Sequence, residues 1–232
     1  MRPSFAFWWA VSCWGMLGTA ACRSAAAPIA PEGLPPLSSA VAAAWVQEHV
    51  PGRPLRYELK WSYQTQRGRV RGRAVVLFVP PDSLRLNFQA PLRHRGAAVV
   101  LGDRVMWSRP EELGEKLIPI ATLLWAALGV PRLPPPRAAI SGRSLLEERV
   151  WRYATGDTIL TYVSAVRSPP TLRAQLTRAG RLIGTTYVAL NDSSNLPRSS
   201  RTLFAETGAL FVFSVEAIET PSSVDSDIWN EP

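Results

Sequence analysis

Between Leu55 and Gln64 apolar and polar residues alternate without a break. Leu55, Tyr57, Leu59, Trp61 and Tyr63 fall on one face, and Arg56, Glu58, Lys60, Ser62 and Gln64 on the other. A side-chain period of two belongs to a β-strand that is dry on one face and wet on the other. Such a strand must pair along its edges and be covered on its apolar side, which commits this part of the chain to an antiparallel sheet with one solvated face.

The segments that follow obey the same rule. A second strand runs from Arg69 to Val79 after a turn at 66–68, Pro80-Pro81-Asp82 stops it, and Leu84, Leu86 and Phe88 alternate in a third. Segments 99–101 and 105–107 flank Gly102-Asp103, a pair suited to a tight hairpin. Later in the chain 149–154 and 158–165 surround Gly156-Asp157, 171–178 and 182–190 surround Ala179-Gly180, and 201–205 and 210–218 surround Thr207-Gly208. The reading is a mainly β chain of about eleven antiparallel strands.

Two stretches break the pattern. Leu37, Val41, Ala44 and Trp45 stand at helical spacing, with Ser38 as a cap and Pro51-Gly52 as a stop, which predicts a helix over 38–50. In mid-chain Leu113, Leu117, Ala121, Leu124 and Leu128 recur at helical spacing before Gly129 and a Pro-rich exit at 131–136. Ile118, Ile120, Leu123 and Trp125 make this one predicted helix apolar on most sides, so it must be covered on more than one face. The open side of the sheet can cover it.

Of the 232 residues 47% are hydrophobic and 19% charged, as expected of a globular chain rather than a disordered or polytopic one. Residues 1–21 are an exception: Arg2, an apolar run from Phe5 to Leu17 and small residues from Gly18 to Ala21 have the layout of a signal peptide. Cys22 follows directly, which makes the segment similar to a bacterial lipoprotein signal with Cys22 as the acylated first residue, palmitate being the type of chain expected. A plain signal cleaved near Ala21 is the alternative. Residues 22–36 are rich in Ala and Pro and read as an extended tether, 37–220 as a single domain, and 221–232 as an acidic tail.

Chemistry that depends on Cys or His is scarce, because Cys13, Cys22, His49 and His94 are the full set. No nucleophile elbow, phosphate loop, dinucleotide fingerprint or zinc spacing occurs, and Gly142-Arg143-Ser144 lacks the second glycine of an elbow. His49, closing the first helix, and His94, in an Arg-flanked loop, read as surface residues. The pairs Glu111-Glu112 and Glu147-Glu148 read as solvated, since adjacent residues on a strand face opposite ways. Catalysis, a metal and a cofactor are not expected.

The formal charge of +8 is unevenly spread: twelve basic and three acidic residues lie between Arg53 and Arg109, whereas six acidic and no basic residues follow Arg201. Arg67, Arg69, Arg71 and Arg73 share one face of the second strand, a basic face suited to anionic head groups or an acidic partner rather than, in an exported chain, to nucleic acid. A solvated face is the plainer reading of the same residues. On the opposite face Gly68, Val70, Gly72, Ala74, Val76 and Phe78 run from small to large, so the glycines would leave room beneath the apolar helix. With Tyr57, Leu59, Trp61, Leu86, Phe88, Trp107, Trp151 and Phe213, and with Leu117 and Leu124 of the helix, they line either an apolar pocket or simply a core.

The lipoprotein-like signal, the short helix, the strand run containing PPDSLRLNFQAPL (80–92), the mid-chain LIPIATLLWAALGV (117–130) and the later hairpins together resemble the LolA/LolB superfamily of lipoprotein-localisation factors. That resemblance implies an incomplete antiparallel barrel, closed by helices over a cavity for the acyl chains of a lipid or lipoprotein, in a monomer. With Cys22 acylated it implies the anchored, LolB-like form, and Arg23 after the Cys points to the outer membrane, facing the periplasm. It also implies a membrane-contacting Leu after the third strand, for which Leu92 is the match, and an Arg that latches the lid helix, for which Arg67, Arg69, Arg71 and Arg73 compete.

Overall fold

The computed structural model describes residues 29–31, 33–91, 95–117, 120–165 and 169–230. Cys22 and Leu92 lie outside the described residues, as does His94. Helix α1 (Ser39–Gln47) comes first, capped by Ser38, whose Oγ accepts from the Val41 N–H at 3.3 Å. Strands β1 (Leu55–Thr65), β2 (Gly68–Val79), β3 (Ser83–Gln89), β4 (Arg95–Leu101) and β5 (Arg104–Arg109) then meander to one edge of a sheet. Helices α2 (Glu111–Leu117) and α3 (Ala121–Ala127) carry the chain to the far edge. From there β6 (Ala139–Ser144), β7 (Glu148–Thr155), β8 (Thr158–Ala165), β9 (Thr171–Arg178), β10 (Arg181–Leu190), β11 (Pro197–Phe204) and β12 (Leu210–Glu219) return. β12 pairs with β1, joining the two meanders into one open antiparallel sheet. This is an incomplete barrel with helices, the architecture anticipated from the sequence.

The strand alternation sets which side chains go in. Leu55, Tyr57 and Leu59 of β1 are buried, while Arg56 pairs across the outer face with Glu58 at 2.7 Å and Glu219 at 2.8 Å. At the β6–β9 end the inner face is covered by α1, where Trp45 meets Trp151 edge-on at 5.8 Å and Trp151 stacks on Tyr162 at 5.2 Å. α3 rests in the middle, with Leu123 and Ala126 packed toward β7–β10 and Trp125, Ala127 and Leu128 toward β1–β4 and β12. A Schellman motif ends α3: Gly129 N–H donates to Ala126 O and Val130 N–H to Trp125 O, with Gly129 at φ 77°.

Several expectations need correction. A twelfth strand, β6, carries no alternation because it is an edge strand whose Gly142 is pressed by the N-terminal segment; a Cβ there would meet Leu37 Cδ2 at 2.9 Å. That segment is therefore not a free tether to residue 36. Pro36 bridges Ser141, Leu37 N–H donates to Ile140 O, Arg152 reaches Pro31 O, and Ala30 is buried against Val150 and Val163 on the outer face. The acidic tail is likewise anchored. Arg85 and the Trp107 indole donate to the carbonyls of Ile228 and Trp229, beside a short 3-10 turn at Ser226–Trp229. The single mid-chain helix is two, and Pro119, which lacks an N–H, stands in the sequence between them. His49 is 7% exposed rather than on the surface: one ring nitrogen bonds Trp45 O at 2.9 Å and the other Ser164 Oγ at 3.1 Å. Its pKa is held below the usual 6.5, chiefly by loss of hydration.

Candidate functional site

The helices leave part of the inner face of β1–β3 and β12 uncovered. An apolar groove of about 670 Å³ lies there, with α3 as one wall. Leu59, Trp61, Val70 and Val76 line it from β1 and β2, Leu86 and Phe88 from β3, and Phe213 from β12. Leu117 and Leu124 line it from the helices, together with Ile120, Leu123, Ala127 and Leu128. At the open end stand Tyr63, 37% exposed, and Val70, 47% exposed, beside Phe204 at the end of β11 and Glu206 and Thr207 of the β11–β12 turn. Apart from Thr202 the rest of the wall is hydrocarbon and ring surface, which can exclude water from an aliphatic chain. Among the described residues no group of three His, Cys, Asp or Glu stands close enough to hold a metal ion.

Four expected lining residues lie elsewhere. Tyr57 and Phe78 are buried in the core behind the groove, and burial without a hydrogen-bond partner for its hydroxyl pushes the Tyr57 phenol upward. Trp151 belongs to the packed core under α1. Trp107 points to the other face, held by the Trp229 carbonyl at 2.8 Å. The glycines do not make the room either. A Cβ on Gly72 would lie 2.6 Å from the Trp61 ring, so that ring already occupies the space, and Gly68 faces open solvent.

The basic face is also rearranged. Arg67 sits in the turn before β2, while Arg69, Arg71 and Arg73 project from the outer face, with Arg69 donating to Ser62 Oγ at 3.0 Å. Because residues of that parity point away from the groove, none of the four is in place to latch α3. A different arginine holds it. Arg132, beyond the helix, lies with its guanidinium carbon 5.1 Å from the Trp125 ring centre and pairs with Asp103 at 3.4 Å and Asp82 at 3.9 Å. The Trp125 indole N–H donates to Gly102 O at 2.7 Å, and the Arg132 backbone N–H to the Tyr162 hydroxyl at 3.0 Å. The end of α3 is thus tied to the β2–β3 and β4–β5 turns. Arg132 carries no local signature in the Pro-rich exit; its partners are 29 and 50 positions away (132 − 103 and 132 − 82).

Comparison with known proteins adds architecture. No protein-family model and no curated protein matches the sequence. Among solved structures, a LolA superfamily protein from Nitrosomonas europaea superposes with a TM-score of 0.56 at 11% identity, over 84% of this chain and 98% of that one. The chain has a LolA-like fold. A domain from Vibrio parahaemolyticus, provisionally assigned as an outer membrane lipoprotein-sorting protein, superposes with a TM-score of 0.50 at 9% identity, over 82% of this chain and 95% of that one. At such identities the LolA-like likeness concerns the course of the backbone, so the chemistry of the groove rests on this chain's own side chains.

Proposed function

We propose that the protein is an envelope lipoprotein that holds an acyl chain, of a lipid or a lipoprotein, in the groove beside α3, and acts as a binder rather than an enzyme. The observation that carries the reading is a 670 Å³ groove with almost no polar lining, on a LolA-like fold. Removing apolar surface from water contributes about 0.8 kcal/mol per methylene, so ten buried methylenes give roughly 8 kcal/mol before ordering costs. In this reading residues 1–21 are the leader, Cys22 is the acylated anchor in the outer membrane, the body faces the periplasm as a monomer, and lipoprotein sorting is the process served. The assignment of the Vibrio neighbour supports that last step.

Full-length protein purified from membranes provides the test. Mass spectrometry should show an acylated Cys22 and co-purifying lipid, and after delipidation the protein should bind a fluorescent fatty-acyl probe with little dependence on salt. Leu124→Arg, which puts a charge in the wall, should weaken probe binding at least tenfold. Delipidated wild type that takes up no probe would overturn the reading.

A further inference from the structure

A second concavity lies on the outer face, where a flat strand surface would be expected. It is a depression of about 530 Å³ over β1–β5, distinct from the groove in the character of its lining. Pairing places Arg73, Gln89 and Arg95 in one row across β2, β3 and β4, and Val75, Asn87, Ala97 and Arg109 in the next row. Val75, Asn87 and Ala97 contribute short side chains to its lining, and Arg73, Arg95 and Arg109 long guanidinium ones. Arg73 and Arg95 are two strands apart, so their Cα atoms are separated by about 10 Å, close enough for two arginine side chains to converge on one small group between them. The amides of Asn87 and Gln89 project from the strand between them.

Two carboxylates touch the depression, and both are engaged. Glu58 is bound by Arg56 at 2.7 Å, and Glu216 by Lys60. Arg73, Gln89 and Arg95, in one row across three strands, offer two planar guanidiniums and an amide N–H group, a donor set that fits a tetrahedral oxyanion through paired hydrogen bonds. Arg73, Val75, Asn87, Gln89 and Arg95 have the parity of the outer face, although Leu59, Ala74 and Phe88 line both concavities. We propose that the depression around Arg73 and Arg95 binds a phosphate group, presented by a lipid head group or as the free anion.

The test uses the full-length protein in neutral detergent, titrated calorimetrically with inorganic phosphate, with dihexanoyl phosphatidylglycerol and with dihexanoyl phosphatidylcholine. Saturable binding that weakens as sodium chloride rises, and at least tenfold in Arg73→Gln/Arg95→Gln, is expected. Binding of inorganic phosphate assigns the free anion; binding of phosphatidylglycerol without inorganic phosphate assigns the lipid head group. Both variant positions are exposed, so the thermal midpoint and the uptake of an uncharged fatty-alcohol probe should stay at wild-type levels. Asn87→Asp, which sets a carboxylate between the guanidiniums, should give the same loss and covers the case of a poorly folded double variant. No saturable binding by wild type, or wild-type affinity in both variants, would overturn the proposal.

Discussion

His49 shows how much one residue's surroundings can change its meaning. In sequence it is a polar residue ending an amphipathic helix, yet in the fold its ring fills the space between α1 and Ser164, with the Trp151 ring 6.3 Å away. Loss of hydration lowers its pKa below 6.5, the Trp45 carbonyl and Glu48 pull the other way, and Arg149 adds to the lowering. The neutral form is therefore favoured by folding. Its contribution is complete above about pH 6.5 and falls away as the pH drops through the folded-state value, because the unfolded chain then binds the extra proton. Thermal unfolding of wild type should lose stability between pH 7 and pH 5 by more than His49→Gln does, and the variant should be less stable at pH 7 by about 1–2 kcal/mol through imperfect replacement of two buried hydrogen bonds. Equal pH slopes for the two proteins would show that His49 takes up its proton equally in the folded and unfolded chains.

At the scale of elements the deciding piece is α3. It rests on β10 at Gly184, where a Cβ would lie 2.8 Å from the Leu203 carbonyl oxygen and 2.9 Å from Leu123 Cδ1. Its end is tied down by Trp125 and Arg132. If these contacts restrain the wall of the groove, Trp125→Phe, which keeps the ring but removes the donor, and Arg132→Gln should each lower stability by about 1–2 kcal/mol. Both should also speed release of a bound acyl probe, read by stopped-flow fluorescence; unchanged release in both would mean that α3 does not gate the groove. The sequence foretold the apolar helix, the β1 alternation and the Gly-containing hairpin turns because each is written in a local pattern. β6 and Arg132 were hidden because their roles are set by partners far along the chain: Leu37 and Pro36 for the strand, Asp82 and Asp103 for the cation. Parity places Val70 and Val76 on the face that lines the groove but does not separate Phe88, which lines it, from Phe78, which lies behind it.

For the whole molecule, the two meanders end in edge strands at β5 and β6, and an uncovered edge is a template for pairing with another chain. Segment 35–37 covers β6, and its continuation lays Ala30 on Val150 and Val163. This changes the geometry of the proposed anchor. Cys22 is seven positions before Ile29, a reach of at most about 25 Å when extended, so an acylated chain would keep the sheet face carrying this strap near the bilayer rather than on a long leash. The covering role itself can be tested without any lipid. A chain beginning at Ile29 keeps the strap, whereas one beginning at Ser38 keeps the α1 cap but exposes the β6 edge together with the Val150 and Val163 patch. Light scattering after size-exclusion chromatography should show the first as a monomer and the second as dimers or larger species, with a lower thermal midpoint. A monomeric chain from Ser38 with an unchanged midpoint would mean that the strap neither guards the edge nor stabilises the sheet.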